Sequence, residues 1–214
     1  QHSKEQIPEK IALHYLLCGG SQKAVSAPPG LTFVVVSDDA KEKMKNRKTP
    51  IASFYANLMA FDGYYEKKWF PYTMPISDIY GLRAAFNLIA GDKTLYERHA
   101  RIGSATRAAV KEAGLKLHLQ SGYSNTVTVF DIPECTDAKS ILDEMRTKYN
   151  IMLAGSFDEL SGKVIRIGHM GENARLEHMV PALEALSATL TDLGVTLQGN
   201  LADLFLKHYR EFQD

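Results

Sequence analysis

The chain has 214 residues, with 25 Lys and Arg against 25 Asp and Glu, and 45% of its residues are apolar. That is the composition of an ordinary soluble globular protein, one domain of moderate size or two small ones. The balanced charge excludes a global basic field for nucleic acid or an acidic membrane surface.

Two cysteines, Cys18 and Cys135, stand far apart. They argue against a disulfide scaffold or a cysteine metal site and suit a reducing compartment. No apolar run approaches the length of a membrane span. The opening Gln1 to Lys10 is too polar for a secretory signal, and the terminal Phe212-Gln213-Asp214 carries no targeting tripeptide, so the expected location is cytoplasmic.

Strand-like and helix-like stretches alternate, which predicts an α/β or α+β architecture. Leu13–Cys18 and Leu31–Ser37 read as two buried strands. Asp38 or Asp39 is expected to cap a short helix through Met44, with lysines in its solvated last turn. The aromatic-rich stretch from Ala52 to Tyr65 reads as partly helical. Thr73 is placed to cap a helix with Pro75 near its first position, and Ile79, Leu82, Ala85, Phe86 and Ile89 recur at helical spacing. A further helix is expected from Thr94 to Ala113, stopped by Gly114.

A smaller α/β unit follows. Thr126–Ile132 alternates as a strand and Asp137–Tyr149 reads as a helix. Ile151–Ala154 and Val164–Gly168 read as short strands, and Ala174–Leu193 as the longest helix, ended by Gly194. The tail from Gln198 to Asp214, with Leu201, Leu204, Phe205 and His208 on one face, reads as an amphipathic closing helix. The expected division is residues 1–90, 91–195 and a helical tail at 196–214.

Two features carry candidate chemistry. The first is Gly19-Gly20-Ser21-Gln22-Lys23-Ala24, where an apolar strand enters a small-residue turn that presents one lysine. The chain then turns at Pro28-Pro29-Gly30 and returns through Leu31–Val36. A lysine held there against backbone and away from bulk water is placed to form an imine with a carbonyl compound. A solvated turn lysine fits the same spacing. The second is Arg166, on a strand end between Ile165 and Ile167. A guanidinium there is costly to bury unless a carboxylate meets it, whether from a substrate or from the protein. His169, His99 and His178 read as structural, and no group of residues has metal-ligand spacing.

Three segments in order, Gly20-Ser21-Gln22-Lys23 with Pro28-Pro29-Gly30, Tyr72-Thr73-Met74-Pro75-Ile76-Ser77 leading to Tyr80, Leu82 and Arg83, and Arg166-Ile167-Gly168-His169-Met170-Gly171, carry a resemblance. The helix with Glu97-Arg98-His99 lies between them. From Leu16 to Gly194 the chain resembles the C-terminal half of class V aminotransferases of fold type I, which depend on pyridoxal phosphate, and within them the alanine–glyoxylate and serine–pyruvate or serine–glyoxylate group. The resemblance implies the tail of a large cofactor-binding domain followed by a small C-terminal α/β domain. It implies that Lys23 carries the cofactor as an imine and shuttles the substrate Cα proton. It further implies that Gln22, Tyr72 and Thr73 serve the cofactor phosphate, Thr73 from across a homodimer interface, and that Arg166 clamps the substrate carboxylate. Relatives often have a tyrosine three residues before the threonine, where this chain has Phe70.

The implied reaction moves an amino group from alanine or serine to glyoxylate or pyruvate. The family builds most of its cofactor pocket from the half preceding the lysine, including the stacked aromatic ring and the aspartate on the pyridine nitrogen. The expectation is therefore of a fragment whose strands need a partner, either that half or a complementary chain, to cover their edges. Two rival readings remain: a non-catalytic dimerisation or binding module, and a lyase or desulfurase of the same fold. No mobile loop with a reactive cysteine supports the lyase reading.

Overall fold

The structure is a computed structural model that describes residues 16–212. They fall into two compact units that divide between Leu88 and Ile89.

The first unit opens with an antiparallel hairpin of β1 (Leu16–Gly20) and β2 (Thr32–Val36), with Leu16 opposite Val36 and Gly20 opposite Thr32. Gly19 is required there because the Phe33 ring lies on it: a Cβ would stand 2.0 Å from the ring. The expected strand start at Leu13 lies outside the described residues. The strands were expected to be buried, and they are not: Leu16, Leu17 and Val35 are 47%, 41% and 52% exposed. No third strand pairs with this two-stranded sheet among the described residues, so apolar side chains that alternate to both faces have little to pack on.

Ser37, rather than Asp38 or Asp39, caps α1 (Asp38–Lys45), its Oγ accepting from the Ala40 N–H at 3.1 Å. A cap must keep extended dihedrals, and Ser37 does so at φ −70°, ψ 157°. The two aspartates instead occupy the first turn, where they complement the helix dipole. The stretch from Ala52 to Tyr65 contains one 3₁₀ turn, Leu58–Phe61. Helix α2 (Ile76–Gly91) follows, and of its expected apolar stripe only Ala85 is buried.

The second unit has a continuous core. Helix α3 (Leu95–Glu112) starts at Thr94 and stops at Ala113 and Gly114, the latter at φ +86°, as its C-terminal glycine predicted. Strands β3 (Val127–Asp131) and β4 (Val164–Gly168) pair antiparallel, Val129 opposite Arg166. Leu117 bridges to Phe130 and Ala154 to Arg166, so an isolated bridge lies on either side of the pair. The expected strand at Ile151–Ala154 reduces to that single bridge, because only Ala154 pairs with β4.

Helix α4 (Ala138–Tyr149) is capped by Asp137, and α5 (Leu176–Asp192) ends before Gly194 at φ +83°. Helix α6 (Leu201–Glu211) is capped by Asn200 and lies against α3 and α5. Leu201, Ala202 and Phe205 join Ile102, Phe130, Ile165 and Leu186 in one core, so the closing helix is an integral part of this unit. Among the described residues, no helix is long and apolar enough to cross a membrane.

Candidate active site

The eleven residues between β1 and β2 form a tied loop built on Ser21, which is fully buried. Its Oγ donates to the Pro28 carbonyl at 2.6 Å and accepts from the Leu31 N–H at 3.3 Å. Its backbone pairs with Leu31 and Ala27 at 3.0 Å each. The turn closes locally as the Lys23 N–H donates to Gly20 and the Ser26 N–H to Lys23. Gln22 folds back so closely that a Cβ on Gly20 would lie 2.7 Å from its Oε1. The far end of the loop rests on the first turns of α2, where a Cβ on Gly81 would touch the Pro28 ring at 3.4 Å.

Sequence reasoning assigned no role to Ser21. The only signal was a small polar residue beside the lysine, and its partners lie seven and ten residues away. Replacing Ser21 by alanine is expected to cost about 1–2 kcal/mol of local stability, because it strands the Pro28 carbonyl and the Leu31 amide. Faster hydrogen exchange at the Leu31 amide, with α3 unaffected, is the measurement that checks it.

Lys23 itself is exposed, which corrects the expectation of a lysine shielded from bulk water. Its ammonium makes no ion pair or hydrogen bond with any described residue. The backbone of the turn is fixed while the amine stands free of any described partner.

Tyr72 and Thr73 lie in the segment leading into α2. The helix begins at Ile76, with the Pro75 carbonyl accepting from the Ile79 N–H. Thr73 therefore lies short of the capping position expected for it, and it is exposed. Tyr72 stacks on Tyr55 with centroids 5.1 Å apart and meets Phe54, Phe61 and Phe70 edge-on. Its hydroxyl donates to the Phe54 carbonyl at 2.8 Å. Phe70, which has no hydroxyl, packs in the same aromatic group.

In the second unit, Arg166 is the central residue of β4 rather than a strand-end residue. It is half-buried. Its Nε donates to the Gly155 carbonyl at 2.6 Å, and its Cζ lies 5.6 Å from the Phe157 ring centroid. No carboxylate pairs with it among the described residues. With Nε engaged, both Nη groups remain to meet a carboxylate end-on.

The histidines around β4 are structural. His169 is fully buried, with Nδ1 3.2 Å from the Asn125 carbonyl and Nε2 2.8 Å from Thr128 Oγ1. A carbonyl only accepts, so Nδ1 carries the proton and Nε2 accepts from the threonine. Desolvation lowers the pKa of His169 to about 4, and the ring is neutral. His99 is used the same way: Nδ1 faces the Leu95 carbonyl at 2.7 Å, and Nε2 accepts from the Gly171 N–H at 3.0 Å. The two rings tie down the chain just beyond β4.

No protein-family model matches the chain. Individual proteins do. An uncharacterized aminotransferase of Methanocaldococcus jannaschii is 37% identical over 82% of this chain and 46% of its own length. A serine–glyoxylate aminotransferase of Arabidopsis thaliana is 36% identical over 89% of this chain and 49% of its own. Among solved structures, the pyridoxamine–pyruvate aminotransferase of Mesorhizobium loti matches with a TM-score of 0.84 at 31% identity, over 92% of this chain and 52% of that one. The chain spans about half the length of the curated relatives it matches.

In fold, the chain matches the C-terminal portion of pyridoxal-phosphate-dependent aminotransferases of fold type I. Its homologues include a serine–glyoxylate and an alanine–glyoxylate aminotransferase, each matched over a little less than half of its own length.

Proposed function

We propose that this chain contributes the lysine and the carboxylate-binding arginine to a transaminase that moves an amino group from a small amino acid, alanine or serine, to a small 2-oxo acid, glyoxylate or pyruvate. One observation carries the reading: Lys23, at the position the resemblance gives to the cofactor lysine, stands on a turn held by a buried serine with its amine free of any described partner.

The residues present fit pyridoxal phosphate: a primary amine on a fixed turn for its aldehyde, and donor groups at Gln22 and Thr73 for its phosphate. Tyr72 joins them only by exchanging the Phe54 carbonyl for a phosphate oxygen, since a phosphate offers acceptors and the hydroxyl proton is already donated. When bound, the cofactor delocalises the electron pair left at the substrate Cα. The Lys23 amine takes the proton from that Cα and returns one in the reverse half-reaction. Arg166 receives the substrate carboxylate on its two Nη groups, with Nε fixed by Gly155 so that the fork has one orientation. The first unit is read as part of the large cofactor-binding domain, the second as the small α/β domain. The exposed apolar hairpin supports a homodimer and a further polypeptide segment that covers it.

The half-length match also keeps a second reading, a non-catalytic dimerisation or binding module. One experiment separates them. Purified chain is mixed with pyridoxal phosphate, the visible absorbance is recorded, and the product is reduced with borohydride and mapped by mass spectrometry. The label is expected on Lys23, and Lys23→Ala is expected to lose the absorbance. Identical spectra for the two proteins, or label spread over surface lysines, would leave the binding-module reading.

A further inference from the structure

One short segment holds Arg166 by its backbone and by its side chain. Ala154 pairs with it across the isolated bridge, the Arg166 N–H donating to the Ala154 carbonyl at 2.7 Å and the Ala154 N–H to the Arg166 carbonyl at 3.3 Å. The next residue, Gly155, supplies the carbonyl that accepts from Nε. Two residues further, Phe157 places its ring centroid 5.6 Å from Cζ, inside the roughly 6 Å over which an aromatic face attracts a cation. The backbone sets this placement. Phe157 is extended at φ −130°, ψ 177°, and Asp158, at φ +53°, turns the chain into the 3₁₀ turn Asp158–Leu160. The Leu160 N–H donates back to the Phe157 carbonyl at 3.3 Å and closes that turn.

The core gives the ring no packing role. Phe157 is 70% exposed and stands outside the apolar cluster of the second unit. No other aromatic ring lies against it among the described residues. Its partner is the guanidinium, and the pairing has a particular chemistry. The hydrogen bond to Gly155 sets the direction in which the fork points, but the guanidinium plane can still rock about that bond. A ring against the face removes this freedom. It does so without using a donor, because a cation–π contact engages the face and leaves the edge N–H groups open. A carboxylate in that place would have consumed them, and neither Asp158 nor Glu159, next in the chain, pairs with Arg166.

We propose that Phe157 is a positioning residue for carboxylate recognition. With the Gly155 carbonyl it sets the plane of the Arg166 guanidinium, so that both Nη groups meet a small monocarboxylate, pyruvate being the simplest, in one geometry. The inference rests on the reading of Arg166 as the carboxylate clamp. Phe157 acts through that residue and needs no contact with the reacting atoms.

The test is NMR of the full chain, following the Arg166 Nε–Hε resonance during a titration with pyruvate. In the wild type the resonance is expected to shift on titration. Phe157→Tyr keeps the ring and is expected to match the wild type in pyruvate affinity and in Hε exchange with water. Phe157→Leu keeps an apolar side chain without an aromatic face. It is expected to speed Hε exchange and to weaken pyruvate by about three- to tenfold, the cost of ordering a long side chain on binding. Because the ring lies outside the core, both variants are expected to keep wild-type amide shifts in α3 and β3. Phe157→Met takes the place of Phe157→Leu if those shifts move. Equal affinity and equal Hε exchange in Phe157→Leu and wild type would overturn the proposal and leave the clamp standing. A loss shared equally by Phe157→Tyr would also overturn it, since the ring is kept. A wild-type resonance that pyruvate does not shift would overturn the clamp reading and the proposal together.

Discussion

Phe205→Ala is expected to destabilise the second unit by about 3–5 kcal/mol, the range for removing a large aromatic side chain from a packed core. Phe205 is fully buried in the same core as Ile102 of α3, Leu186 of α5 and Phe130 of β3. The surface contacts of α6 cannot compensate. Glu112 takes Lys207 at 2.7 Å and His208 at 2.6 Å, but Lys207 is exposed and Glu112 and His208 are only half-buried, and surface pairs contribute a fraction of a kcal/mol. Glu112→Gln is therefore the control with a small effect. Urea unfolding monitored by hydrogen exchange in α3 and β3 distinguishes the two. Wild-type exchange at β3 in Phe205→Ala would show that α6 is only an appendage.

The second large effect is a pH dependence centred on His169. Its pKa falls from the ordinary 6.5 to about 4 because burial disfavours the charged ring. Between those values the unfolded chain binds a proton that the folded chain does not, so stability rises with pH across the window. The contribution is complete above pH 6.5 and is lost progressively as pH falls towards 4. Its size is about 3 kcal/mol.

Protonation would also put a second N–H on the ring at Nε2, where it now accepts from Thr128, so the threonine hydroxyl would have to turn and accept instead. The carboxylates of Asp131 and Glu112 are held below their usual range, Asp131 first by its hydrogen bond to Lys116 and Glu112 first by its bond to Lys207. They act in the same direction at lower pH and do so equally in a variant. His169→Gln is thus expected to be less stable than wild type at pH 7.5, with the difference shrinking steadily to pH 4.5. A constant difference would mean that the ring is not the titrating group.

Much of the second unit was legible from the chain alone. Gly114 and Gly194 mark the ends of α3 and α5, Asp137 starts α4, and Val164–Gly168 is a strand with the expected ends. These signals are local: a left-handed residue, a capping side chain and a 3.6-residue period act within one or two turns. Leu201 and Phe205 announced α6 in the same way. For the candidate site, only the local placement was legible: Gln22 and Lys23 share a turn and Arg166 lies on a strand.

Burial and partnership were not legible, because they depend on chain brought in from elsewhere. Val35 is apolar enough for a core and is half exposed, since burial needs a neighbouring layer and not only an apolar side chain. Ser21 looked like filler in a turn until Pro28 and Leu31 closed on it. Arg166 has its orientation from Gly155, eleven residues earlier, and His169 its tautomer from Asn125, 44 residues earlier. The sequence by itself determined the helices and the two paired strands of the second unit and named the candidate residues of the site. Only the tertiary structure decided which polar groups are satisfied and which stand free, because hydrogen bonding and desolvation depend on distance in space.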